Sequence, residues 1–184
     1  VCNAADHKGG PNTTMTMVVR DSLNTGVMFV LRSMGGDATK ITLAAKQRFY
    51  DYITTRFHYG KKTGIEQQGE ASGVINKPTS SDVNYANMSF GQGLSVTMMQ
   101  MTAATAAIAN GGNFYKPYLV KGIKANAEVP MVKERQPEIS KNFSYLGDYI
   151  KEVQGGMEDV VNQWYGSAHL LADLPVSAAG KTGS

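Results

Sequence analysis

Two strings in this sequence gather groups that can move protons and hold anions. Ser22-Leu23-Asn24 sets a hydroxyl and a carboxamide two residues apart. Lys181-Thr182-Gly183 sets an ammonium, a hydroxyl and a bare backbone in a row. A serine hydroxyl at a helix junction can relay a proton, and an asparagine amide can hold a substrate amide. Lysine supplies positive charge, and glycine lets the backbone approach a ligand closely. The structural reading of the first string is that Ser22 or Asn24 merely caps the helix that follows. Lys-Thr-Gly also occurs as Lys62-Thr63-Gly64, but there it follows a Tyr59-Gly60 turn and leads into a polar run, which reads as a surface loop. The Lys181 copy follows Val176-Ser177-Ala178-Ala179-Gly180, which reads as a buried strand.

Other chemistries find less support. The one cysteine, Cys2, has no partner for an internal disulfide or a cysteine metal site. His7, His58 and His169 are far apart, without ligand spacing, which argues against a metal site. The net charge of +3 is spread along the chain, with only Lys61-Lys62 adjacent, which argues against nucleic acid as a partner. No apolar run is long enough to span a bilayer, and no signal peptide opens the chain.

The elements that must position the two strings are mostly helical. Residues 1–13 read as loop. Thr14 to Val19 reads as a helix, entered through Thr13 or Thr14, and Asp21 to Asn24 interrupts it. Val27, Val30, Leu31 and Met34 give a second helix, ended by Gly35-Gly36. A third helix is predicted from about Thr39 to Phe57, with Ile41, Ala45, Phe49, Tyr52 and Ile53 as its buried stripe. Residues 60–90 read as one long irregular connection. An Ala- and Met-rich helix from about Thr97 to Asn110 should be central and buried. Phe114 to Ile123 is the mid-chain strand candidate, with Pro117 suggesting an edge, and 124–143 reads as irregular. The last helix spans about Tyr145 to Asn162, with Leu146, Ile150, Val153, Met157 and Val160 on one face. Gly155-Gly156 inside it points to a close packing contact.

The order of short blocks along the chain resembles class B penicillin-binding proteins, and division-type transpeptidases most of all. Ser22-Leu23-Asn24-Thr25-Gly26-Val27 resembles their second motif. Tyr59 to Glu66, Gly69 to Gly73 and Tyr115 to Val120 also match in order. The most specific block runs from Ser89-Phe90-Gly91-Gln92-Gly93 through Ala109-Asn110-Gly111-Gly112. Gly166-Ser167-Ala168 and Ala179-Gly180-Lys181-Thr182-Gly183-Ser184 complete the match. The resemblance implies an α+β fold: a helix-dominated fragment of the β-lactamase/D,D-peptidase transpeptidase fold, lacking the nucleophile helix and several strands. Residues 1–184 would form a partial transpeptidase domain.

By that resemblance, the intact protein is a D,D-transpeptidase that cross-links peptidoglycan stem peptides by serine acyl transfer, β-lactams acylate the same serine, and no metal or organic cofactor is required. Ser22 would take part in proton transfer, and Asn24 would orient the substrate amide. Lys181 and Thr182 would hold the terminal carboxylate on a strand whose free edge pairs with the peptide. Gly183 would allow close approach, and the Ser184 N–H would supply half of the oxyanion hole. Other cell-wall synthesis proteins are implied as partners. The location implied is extracytoplasmic, with the parent anchored in the cell membrane. The family's nucleophile lies in a Ser-x-x-Lys tetrad, and no serine of this sequence has a lysine three residues on. With Val1 in place of an initiator Met, the chain is expected to be an internal fragment, inactive alone and prone to aggregate. A serine β-lactamase, a β-lactam sensor, or a non-catalytic scaffold descended from an enzyme are the alternatives.

Overall fold

The computed structural model describes residues 2–3 and 9–183. Helices dominate, and the strands run to between two and four residues. Helix α1 (Met15–Arg20) starts where Thr14 accepts a hydrogen bond from Met17 N. It closes at Asp21, and α2 (Asn24–Ser33) follows almost at once. Helix α3 (Leu43–Asp51) begins at Thr42, later than the expected Thr39, because the Thr42 hydroxyl accepts from Ala45 N and fixes the start there. It does not continue as one α-helix to Phe57. Residues Tyr52–Arg56 form a π-helical turn. The wider turn shifts the phase of the buried stripe, so Thr54 is buried and Tyr52, expected inside, is exposed.

The long connection after Gly60 contains a helix the sequence reading missed, α4 (Asp82–Ser89), capped by Ser81. Its Tyr85 and Met88 pack with Leu31 of α2 and Ala45 of α3 in a buried cluster completed by Ile41, Phe49, Ile75 and Leu94. Lys46 pins the helix start, donating to Ser80 O and pairing with Asp82, both at 2.7 Å.

Helix α5 (Met98–Ala109) opens with a capping box between Thr97 and Gln100. The expectation that it would be buried all round fails. Gln100, Ala104 and Ala107, spaced i, i+4, i+7, form one buried stripe, whereas Met98 and Met101 are exposed. Small residues here allow close approach on a single face rather than on several.

The expected strand from Phe114 to Ile123 is split. Strand β1 (Asn113–Tyr115) stops before Pro117, which has no N–H to donate. Strand β2 (Gly122–Ile123) pairs with β3 (Lys133–Glu134), and β1 pairs antiparallel with β4 (Ile139–Asn142) through a bulge between Phe114 and Tyr115. The stretch expected to be irregular thus carries both return strands. Phe114 joins Ala107 and Phe143 in a second buried cluster.

Helix α6 (Gly147–Asn162) packs across α1. Gly156 is buried there, and a Cβ on it would lie 3.2 Å from Val19, so the expected close contact is present. Residues 176–180 do not form the expected strand. No described segment runs beside them to pair, and their ties go to α6: Gly180 N donates to Met157 O at 3.0 Å. No helix of the described residues is long and apolar enough to cross a membrane.

Candidate active site

The junction between α1 and α2 has a specific backbone form. Ser22 N donates to Val19 O at 3.3 Å and Leu23 N to Val18 O at 3.0 Å. These are the paired bonds that end a helix through a residue in the left-handed region, a position usually held by glycine. Ser22 occupies it with φ at 52°. A side chain there costs about 1–2 kcal/mol. Buried Val18 and Leu23 flank it. The turn therefore presents a hydroxyl where ordinary helix ends present nothing.

Neither Ser22 nor Asn24 caps α2. Leu23 holds the cap position, with no side-chain hydrogen bond. The Asn24 amide donates to Cys2 O at 3.2 Å, and Thr25 N donates to Asn3 Oδ1 at 3.0 Å. The bland reading of the first string thus leaves both polar side chains without the capping role it assigned them.

Lys181 reaches the turn from the far end of the chain. Its Nζ donates to Ser22 Oγ at 2.6 Å and to Thr182 O at 2.9 Å. The stem is open to solvent, but neighbours crowd the ammonium, and this desolvation pulls its pKa below the usual lysine value. The Thr182 hydroxyl lies 3.3 Å from Ser167 Oγ, which also donates to Arg20 O at 3.2 Å. Gly183 is exposed beside them. Ser184 and His7 lie outside the described residues. The structure therefore brings Ser22, Lys181 and Thr182 together, and Asn24 sits two residues along the same turn with its amide turned to Cys2. The other Lys-Thr-Gly copy is elsewhere: Thr63 donates from its N and Oγ1 to Glu70, at 2.6 and 2.5 Å, inside its own loop.

Two contacts frame the site that spacing alone did not reveal. The Arg20 guanidinium chelates the neighbouring Asp21 carboxylate, with Nη2 2.7 Å from Oδ2, and lies 4.4 Å from the centre of the Tyr165 ring. Gly166 is folded against the end of α6, where a Cβ would come within 2.4 Å of Val160 O, so only glycine fits. The sequence signal was the Gly166-Ser167-Ala168 string itself.

Comparison with known proteins matches the chain to one group. Stage V sporulation protein D of Bacillus subtilis is 32% identical over 172 residues, covering 93% of this chain and 24% of the relative. Penicillin-binding protein PbpB of Mycobacterium tuberculosis is 33% identical over 187 residues, 100% of this chain and 26% of the relative. Peptidoglycan D,D-transpeptidase FtsI of Escherichia coli is 33% identical over 144 residues, 78% and 22% respectively. The chain thus spans about a quarter of the length of these relatives. Among solved structures, penicillin-binding protein 2B of Streptococcus pneumoniae superposes with a TM-score of 0.81 at 24% identity, over 93% of this chain and 30% of that one. It shares the fold. The family model described as the penicillin-binding protein transpeptidase domain matches residues 2–184. With that match running through both ends of the Ser22–Lys181 contact, the chain belongs to the penicillin-binding protein transpeptidase family.

Proposed function

We propose that this chain supplies the Ser-x-Asn and Lys-Thr-Gly walls of a peptidoglycan D,D-transpeptidase site. The observation that carries the reading is the 2.6 Å hydrogen bond from Lys181 to Ser22, made across 159 residues of chain. A hydroxyl held in a costly backbone conformation and touched by a partly desolvated lysine suits proton relay.

In the intact protein, a serine outside this sequence attacks the carbonyl of the penultimate D-Ala of a stem peptide. The terminal D-Ala leaves as an amine that must gain a proton, and the acyl group passes from the serine to an amine of a neighbouring stem. Ser22 takes part in that proton transfer. Lys181 and Thr182 hold the terminal carboxylate, and Asn24 orients the substrate amide once its amide turns from Cys2. Gly183 lets the backbone approach, and Ser184 N–H serves the oxyanion hole. β-Lactams react as mimics of the same peptide. Peptidoglycan cross-linking supports a domain on the outer side of the cytoplasmic membrane, with other cell-wall synthesis proteins as partners. The segment alone, having no Ser-x-x-Lys, forms no covalent adduct.

The test is labelling of the full-length protein with a fluorescent penicillin. A covalent adduct that survives denaturation is expected, formed more slowly by Lys181→Met and Ser22→Ala. Absence of any adduct on the folded wild type refutes the reading. Rapid nitrocefin hydrolysis would favour a β-lactamase.

A further inference from the structure

Ser167 lies outside both strings and yet touches the site on two sides. Its hydroxyl is 3.2 Å from Arg20 O, at the end of α1, and 3.3 Å from the Thr182 hydroxyl. Its own position is over-determined. Gly166 N donates to Gln163 O at 2.7 Å and Ala168 N to Val160 O at 2.9 Å, which ties the loop to the end of α6. Gly166 admits no side chain, and Tyr165 is covered by Arg20. A short loop held this firmly can fix a hydroxyl to within the tolerance a binding site requires.

A serine hydroxyl has one proton to give and two lone pairs to receive with. Arg20 O can only accept. With the Ser167 proton on that carbonyl, the Thr182 hydroxyl donates to Ser167, and its own proton is turned away from any ligand. A carboxylate arriving at Lys181 and Thr182 attracts the Thr182 proton. The Ser167 proton can then swing to Thr182 Oγ1, over a distance nearly equal to the one it leaves. The result is a chain in which Ser167 donates to Thr182 and Thr182 donates to the anion, each bond polarising the next.

Building on the transpeptidase reading, we infer that Ser167 is a positioning residue for the carboxylate subsite, a hydroxyl rotor that holds Thr182 Oγ1 and strengthens it as a donor when the anion binds. It touches neither the reacting atoms nor the ligand. Its effect is confined to ligands that present a carboxylate.

The test uses the full-length protein and two probes, benzylpenicillin and its methyl ester, which lacks the anion. Second-order acylation rates are measured for wild type and Ser167→Ala. The variant is expected to lose about tenfold with benzylpenicillin, the worth of one hydrogen bond. It should lose nothing with the ester, so the acid-to-ester ratio falls by the same tenfold. The same substitution in a Thr182→Ala background should leave the ratio where Thr182→Ala alone sets it. If Ser167→Ala does not fold, the near-isosteric Ser167→Cys, a weak donor, takes its place. An unchanged acid-to-ester ratio overturns the inference, because a merely structural role slows both probes alike. A wild type that neither probe acylates overturns the transpeptidase reading itself, and this inference with it.

Discussion

The left-handed turn at Ser22 sets stability against function, and two substitutions separate the terms. Ser22→Ala and Ser22→Gly both remove the hydroxyl that accepts from Lys181, so the loss of that hydrogen bond is common to both. They differ only in backbone preference. Alanine, like serine, pays about 1–2 kcal/mol to stand at φ 52°. Glycine pays no steric cost there, but loses more freedom on folding, roughly 0.5–1 kcal/mol. The Gly variant should therefore be about 0.5–1 kcal/mol more stable than the Ala variant, the reverse of their order within helices. Denaturant unfolding of the full-length protein reads this difference directly from the two midpoints. Acylation by a fluorescent penicillin should be slowed alike in both, because both lack the oxygen. An Ala variant as stable as the Gly variant would show that Ser22 is not strained, and the argument from its conformation would fall.

Three further outcomes follow from the packing around the site. A Cβ on Gly26 would meet Val18 Cγ2 at 2.4 Å, so Gly26→Ala should cost about 1–3 kcal/mol. In a Val18→Ala background only the Cβ of residue 18 remains close, at 3.1 Å, so the cost of Gly26→Ala should shrink, and additive unfolding energies would contradict this. Gln100 is buried, donates to Lys61 O at 2.6 Å and Ser72 O at 2.9 Å, and accepts from Thr97 N at 2.8 Å. Gln100→Leu should cost roughly 2–4 kcal/mol by stranding those backbone groups, and a change under about 0.5 kcal/mol in denaturant unfolding would refute it. Burial, helped by Lys141 and Lys61, pulls the His58 pKa below 6.5. The unfolded chain then binds the proton more readily, so stability is full above that value and declines as pH falls through the lowered one. His58→Asn, which tolerates the same positive φ, should flatten this acid slope in a pH series of unfolding midpoints.

What the sequence disclosed was local in origin. Thr14 and Thr97 announced two helix starts because a cap needs only three or four neighbouring residues. The double glycine in α6 foretold a close approach for the same reason, and Gly156 makes it while Gly155 faces open space. Helix α4 escaped notice because its Val83 faces solvent and its apolar residues give no continuous stripe among the asparagines. Its existence depends on Leu31 and Ala45, which lie far back in the chain. The strand readings failed for a related reason. Pairing is a bargain between distant segments, and neither 114–123 nor 176–180 carries the identity of its partner. The residue types of the site were legible as motifs, and family resemblance supplied their roles. The contacts of Ser167 with Thr182 and of Lys181 with Ser22 were not legible, since each joins residues that only the α1–α6 packing brings near.

That packing also has a history in time. Val19 meets Gly156 about 140 residues later in the chain. At about 5–20 residues per second, a ribosome needs roughly 7–28 s to supply the second half of the contact. Through that interval the α1 surface toward α6 waits uncovered while α2, α3 and α4 can already bury one another. Closing so long a loop is entropically costly and slow. The Ser22–Lys181 pair therefore belongs to the last-formed layer of the molecule, and any chaperone that shields the nascent chain has its longest appointment at α1.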